Sequence, residues 1–189
     1  MNKVIISGVV TSNNQSIYLK GYKYNLVRVF NLNGEFVVAI KHPNEVCLGD
    51  KVQIIGHLDF VLIKHAKYKE NLVENLTDTQ PASMVVVVAD SVKPLSKLTS
   101  QSHIELDANI LNSSVVNGKT KLDLSVTIGS TELVIPSQVN SCNLSNNTSV
   151  QVAGTLQSLT FDKNGFMQYI IDVTNIKQTQ STNKEFENE

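Results

Sequence analysis

Two stretches of this chain combine side chains that could hold an anionic polymer carrying flat rings. Tyr18-Leu19-Lys20-Gly21-Tyr22-Lys23-Tyr24, continuing to Arg28 and Phe30, interleaves cations with aromatic rings. Lys64-His65-Ala66-Lys67-Tyr68-Lys69 sets four basic or potentially basic groups around one tyrosine. Cations neutralise phosphates and release counterions, and rings stack on bases whatever the base, so the combination suits single-stranded nucleic acid. The candidate contacts are Lys20, Tyr22, Lys23, Tyr24, Arg28, Phe60, Lys64, Lys67, Tyr68 and Lys69. Each has a plainer reading. The tyrosines could pack into a core with only their hydroxyls wet, the 64–69 segment could be a solvated loop, and Phe60 could plug the interior.

Catalytic patterns are missing. His42, His57, His65 and His103 show no metal-ligand spacing with Cys47 or Cys142. No glycine loop of the phosphate-cradling kind and no nucleophile elbow occurs. The chain is therefore expected to be no enzyme, with no cofactor and no metal.

The elements that must position these residues are strands. Of 189 residues, 41% are hydrophobic and 17% charged, with Val, Ile and Thr frequent. Val4–Val10 is a nearly continuous apolar run, and Thr11-Ser12-Asn13-Asn14-Gln15 reads as a loop. From Tyr22 to Asn31 the pattern alternates, with Tyr22, Tyr24, Leu26, Arg28 and Phe30 on one face. Residues i and i+2 on a strand lie about 6.6 Å apart, close enough for neighbouring rings. Asn33-Gly34 predicts a hairpin into a return strand ending near Ile40. Two further strands follow, from Gly49 to about Ile63 and from Met84 to Val92. Only turns or short helices fit Pro43–Leu48 and Ser137–Asn146.

The second half repeats the first. Gly49-Asp50-Lys51-Val52-Gln53-Ile54-Ile55-Gly56-His57-Leu58 has a counterpart in Asn147-Thr148-Ser149-Val150-Gln151-Val152-Ala153-Gly154-Thr155-Leu156. Glu35-Phe36-Val37-Val38 matches Glu132-Leu133-Val134-Ile135. Strands are expected at Glu105–Leu111, Lys121–Ile128, Thr131–Pro136, Ser149–Phe161 and Met167–Ile176. A glycine inside a strand marks a bend, so Gly56 and Gly154 should fall at bends of equivalent strands. Five strands with one long bent member, twice over, predict an all-β fold of two tandem five-stranded oligonucleotide-binding (OB) Greek-key barrels. Each half should then hold its own core, and a seven-stranded sandwich or one continuous core through both would end the duplication reading. The expected division is 1–98 as a first, single-strand-binding barrel, 99–177 as a second, and 178–189 as a flexible acidic tail.

Charge divides unevenly. Residues 1–98 carry 11 Lys/Arg against 8 Asp/Glu, a balance of +3, and residues 99–189 carry 5 against 9, a balance of −4. Either this is drift between two surfaces, or only the first half meets a polyanion. The connection that holds Lys64–Lys69 is about 14 residues longer than its counterpart around Asp162.

Several of these segments resemble the bacterial single-stranded DNA-binding proteins, including phage-type members. Met1-Asn2-Lys3-Val4-Ile5-Ile6-Ser7-Gly8 resembles their opening, Gly49–Leu58 their central strand, and Val86-Val87-Val88-Ala89-Asp90-Ser91-Val92-Lys93-Pro94-Leu95 their last strand. Val150 to Ile176 is similar to the closing block of the same fold. The resemblance implies a cytoplasmic protein that coats and protects single-stranded DNA in replication or recombination, a mobile element being one setting. It implies that the 64–69 segment is part of a DNA-gripping hairpin. Because the family wraps DNA around four barrels, a chain with two implies a homodimer. The chain departs from the family in lacking Trp and in ending Lys184-Glu185-Phe186-Glu187-Asn188-Glu189, with its Phe away from the terminus.

The rival reading is an interaction module, a tandem barrel that docks onto replication or primosome proteins without strong nucleic-acid binding. Nothing approaches the run of roughly 18 apolar residues that crosses a membrane. Met1–Gly8 enters a strand at once and lacks a signal-peptide shape. Two cysteines and no disulfide framework fit a reducing cytoplasm.

Overall fold

The computed structural model describes residues 1–41, 46–63, 82–159 and 168–179. Ten strands run in chain order: β1 Asn2–Leu19, β2 Tyr22–Asn31, β3 Gly34–Ile40, β4 Lys51–Ile63, β5 Ala82–Pro94, β6 Gln101–Val116, β7 Lys119–Ile128, β8 Thr131–Val139, β9 Ser149–Leu159 and β10 Gln168–Gln178. Among the described residues there is no helix.

β1 pairs with β2, β2 with β3, β3 with β5, β5 with β4, and β4 with β1, so the ladder closes into a five-stranded barrel of OB type. All of these pairings are antiparallel except β3–β5. The strands β6 to β10 pair in the same sequence, again with one parallel member, β8–β10. β1 also pairs with β6, from Asn2 opposite Leu106 to Ser7 opposite Gln101, and this joins all ten strands in one sheet. β1 thereby has β2, β4 and β6 as partners.

The bends fall at the two glycines. β4 and β5 slip register between Ile55 and Gly56, leaving Asp90 as the extra residue. Between β9 and β10 the slip lies opposite Gly154, with Thr174 extra. A Cβ on Gly56 would sit 2.0 Å from the Val88 carbonyl oxygen, and one on Gly154 would sit 2.4 Å from that of Asp172. The bulge brings the neighbouring backbone so close that no side chain fits.

Two expectations fail for identifiable reasons. Thr11–Gln15, read as a loop for its polarity, continues β1 because bulges after Val10 and Asn13 keep its backbone paired with β2. β6 likewise runs beyond Leu111 to Val116 past a bulge after Ile110. Nor do the halves keep separate cores. The buried side chains form one cluster, from Val4, Ile6 and Phe36 to Ile104, Leu156 and Tyr169.

The β2–β3 hairpin of the first half carries that continuity. Asn31 is buried and donates its side-chain amide to the carbonyls of Ser7 and Gln101 at 2.9 and 3.1 Å. The Ser158 N–H donates to the Asn33 carbonyl at 3.0 Å. Gly34 has a φ of 116°, and a Cβ there would meet the Ser158 hydroxyl. Beyond the turn, Phe36 stacks on Tyr169 with ring centroids 6.2 Å apart and planes 12° from parallel, an arrangement worth about 1 kcal/mol beyond the area it buries. Burial pushes the Tyr169 phenol well above its ordinary range, the Val37 backbone opposing only in part. Its hydroxyl makes no well-formed hydrogen bond among the described residues, the Val37 backbone giving only a weak one.

Candidate nucleic-acid interface

The β1–β2 hairpin carries most of the described candidates. Its turn is Lys20-Gly21, with φ of 48° and 82°, the positive pair of a type I′ turn. Just outside the turn, Tyr18 lies opposite Lys23 and Leu19 opposite Tyr22. Directly opposed side chains share a face, so Tyr18 and Lys23 look one way while Leu19 and Tyr22 look the other. Tyr18 is 73% exposed and Tyr22 56%. The Lys41 ammonium, at the end of β3, stands 3.9 Å from the centroid of the Tyr22 ring. Such a contact contributes about 0.5–1 kcal/mol at an exposed site and places a cation beside an exposed ring.

Tyr24 behaves differently. It is half-buried and packs against the core, as does Ile17 opposite it. Leu26, on the same face, is buried, and so is Val27 on the opposite one. The alternation of β2 therefore does not give one continuous ladder of exposed rings, because both faces are covered at mid-strand. Phe30 returns to 54% exposure near the far end. From Tyr22 to Phe30 is about 26 Å along a strand.

Two of the expected phosphate-binding cations are held by carboxylates. The Lys20 ammonium lies 2.7 Å from Asp59 on β4. Arg28 pairs with Glu35 on β3 at 3.0 Å. Lys23 is exposed. Phe60 is half-buried, and its backbone N–H donates to the Asp59 carboxylate at 2.8 Å. Lys64, Lys67, Tyr68 and Lys69 lie outside the described residues. The structure thus brings Lys20, Asp59 and the Phe60 backbone together, sets Tyr22 under Lys41 and Tyr18 beside Lys23, and leaves Arg28 and Phe30 at the other end of β2. Tyr18, Lys41 and Asp59 were absent from the candidates. Tyr18 was visible in the same motif, whereas Lys41 and Asp59 announce themselves only through long-range pairing.

The matched face of the second half carries no ring. Arg28 lies opposite Val37 as Ser125 lies opposite Val134, 97 positions on. By that offset Tyr22, Tyr24 and Phe30 become Lys119, Lys121 and Thr127. A groove of about 600 Å³ lies where Met1 and Asn2 meet this half, bordered further by Asp107, Asn109, Ser125, Thr127 and Ser149. Its lining mixes polar side chains with Met1, Ala108, Val126 and Val150 and holds no aromatic side chain. The two described histidines are engaged on the surface, His57 with Asp90 at 3.2 Å and His103 with Glu105 at 3.1 Å. Among the described residues no group of His, Cys, Asp and Glu is placed to hold a metal.

The whole chain is similar to solved structures of the single-stranded DNA-binding protein from Thermus aquaticus. A deletion mutant of that protein superposes with a TM-score of 0.62 at 13% identity, over 95% of each chain. The wild-type protein gives 0.60 at 13% identity, over 95% of this chain and 93% of that one. That likeness shows the fold. No family model and no curated protein matches this sequence.

Proposed function

We propose that this protein binds single-stranded DNA through the first half of the chain, without catalysis, and protects it during replication or recombination. The observation that carries the reading is the β1–β2 hairpin. It presents Tyr18 and Tyr22 to solvent with Lys23 and Lys41 beside them, on a barrel of the type that single-strand binders use. The charge balance supports the same half, and Lys64, Lys67, Tyr68 and Lys69 would add cations and a ring from the connection after β4. In this reading the chain is two tandem OB units of the bacterial and phage type, 1–98 and 99–177, with 178–189 as a tail. The matched bulges at Gly56 and Gly154 and the repeated strand pairing support duplication, while the single core through both halves counts against two separate barrels. The second unit serves as scaffold or docking surface. A homodimer and cytoplasmic replication proteins as partners complete the proposal.

The rival interaction-module reading draws on the ion pairs, since Lys20 and Arg28 spend their charge within the molecule. Titration of the full chain with fluorescent oligo-dT at low and high salt separates the two. Binding that weakens along a linear log–log salt plot supports the first reading. No binding at low salt gives the protein to the second. Light scattering at micromolar concentration tests the dimer, and a monomer would remove it.

A further inference from the structure

Asp59 is the one charged residue among the buried polar side chains of the described chain, at 5% exposure. A carboxylate in that position is tolerated only if a partner compensates it. Its partner is Lys20, whose side chain is 69% exposed and which reaches it from the β1–β2 turn at 2.7 Å. The other carboxylate oxygen accepts the Phe60 N–H at 2.8 Å. One side chain on β4 therefore ties down both the tip of the aromatic hairpin and the backbone of a candidate stacking residue.

The turn itself shows what this arrangement displaces. Lys20 occupies a left-handed conformation, φ 48°, which a long side chain adopts only under constraint. The equivalent turn of the second half is Asn117-Gly118, with φ of 51° and 77°. That dipeptide is the preferred one for this geometry. The residue equivalent to Asp59 in the second half is Gln157, by the matched registers of β4–β5 and β9–β10. Where exposed rings are present, the turn has Lys and the strand a buried Asp. Where they are absent, it has Asn and Gln.

We infer that Lys20 and Asp59 form a positioning strut that fixes the Tyr18–Tyr22 hairpin and Phe60 for a single strand, and that Lys20 is not itself a phosphate contact. This rests on the reading of the first half as the binding surface. To reach a phosphate by leaving Asp59, the lysine would strip a carboxylate that is itself 5% exposed of its cation, and a solvent-facing phosphate gives no equally desolvated partner in return. Lys20 therefore stays on Asp59 when the strand binds. Its charge is already matched, so it releases no counterion.

The test uses the full chain with Lys20 and Asp59 replaced together by the second half's own pair, K20N/D59Q, and separately with K20R. Thermal unfolding shows that each variant is folded. Oligo-dT affinity is then measured across salt concentrations. We expect K20N/D59Q to bind about tenfold more weakly, the low end of what one stacked base contributes, with the slope of the log–log salt plot unchanged. K20R, which keeps the pair, should bind like the wild type. A slope shallower by about 0.7, the share of one single-strand phosphate, overturns the inference by making Lys20 a phosphate contact. Unchanged or tighter binding by K20N/D59Q overturns it as well. If the wild type itself binds no oligo-dT, the functional reading falls and the strut's purpose with it.

Discussion

The two halves of this chain build the same ladder from the same strand pattern and differ in what they place on it. Around Gly56 and Gly154 they are alike, with a bulge, an extra residue on the partner strand and a backbone too close for a Cβ. At the first hairpin they part. The first half has Tyr18, Lys20, Tyr22 and Lys23 where the second has Val115, Asn117, Lys119 and Thr120. At the bulge glycines of β4 and β9 the halves agree, and at the solvent-facing first hairpin they diverge. The divergence is therefore where function is to be sought.

The agreement can be broken first. Gly56→Val and Gly154→Val should each cost about 3 kcal/mol or more, since the clash is with backbone that cannot turn aside. Chemical denaturation measures both, and a loss at one glycine alone would mean that the bulges are not equivalent. The contact that fuses the halves comes next. Tyr169→Ala should cost about 3–4 kcal/mol by opening a cavity beneath Phe36. Tyr169→Phe should be neutral or stabilising by up to about 1 kcal/mol, because it removes a buried hydroxyl that has no well-formed hydrogen bond. The sign of its pH dependence follows from the raised phenol. The stability that burial confers through the neutral phenol is fully present below the ordinary value of 10.0 and is lost as pH rises above it, when the unfolded chain releases a proton that the folded chain keeps. Tyr169→Phe should abolish that alkaline loss, as urea melts at pH 9 and pH 11 would record.

Binding effects are smaller. Tyr22→Ala should weaken oligo-dT binding by about 1–3 kcal/mol, whereas Lys119→Ala at the matched position should change it by less than about 0.5 kcal/mol. Fluorescence titration of both at one salt concentration makes the comparison. The Arg28–Glu35 pair is partly exposed, and Glu35→Gln should lower stability by no more than about 1 kcal/mol. A larger loss by thermal denaturation would give that pair a structural role beyond that of a partly exposed ion pair.

Much of the ladder was legible in the sequence because it rests on local rules. Apolar runs marked most strands, Asn33-Gly34 and Asn117-Gly118 marked turns, and an in-strand glycine marked the β4–β5 and β9–β10 bulges, whereas those of β1 and β6 carried no such sign. Thr11–Gln15 was misread because polarity signals a loop only where no neighbouring strand claims the backbone, and β2 claims this one. Tyr24 looked like Tyr22 in the alternating pattern, yet one packs on the core and the other meets solvent. Period two names a face and says nothing of what covers it. Lys20-Gly21 carried no turn signal as strong as Asn-Gly, since the lysine is held there by Asp59, 39 residues away. Lys41 over Tyr22 and Phe36 on Tyr169 are likewise long-range and left no local trace.

The claim that the first half's hairpin is the binding surface is tested most directly by two double variants of the full chain, each titrated with the same oligo-dT at the same salt. Tyr18→Ala with Tyr22→Ala strips the exposed rings from the first hairpin, and Val115→Ala with Lys119→Ala alters the matched positions of the second. The account predicts at least about a tenfold loss of affinity for the first pair and essentially none for the second. Equal losses, or a larger loss from the second pair, would contradict it.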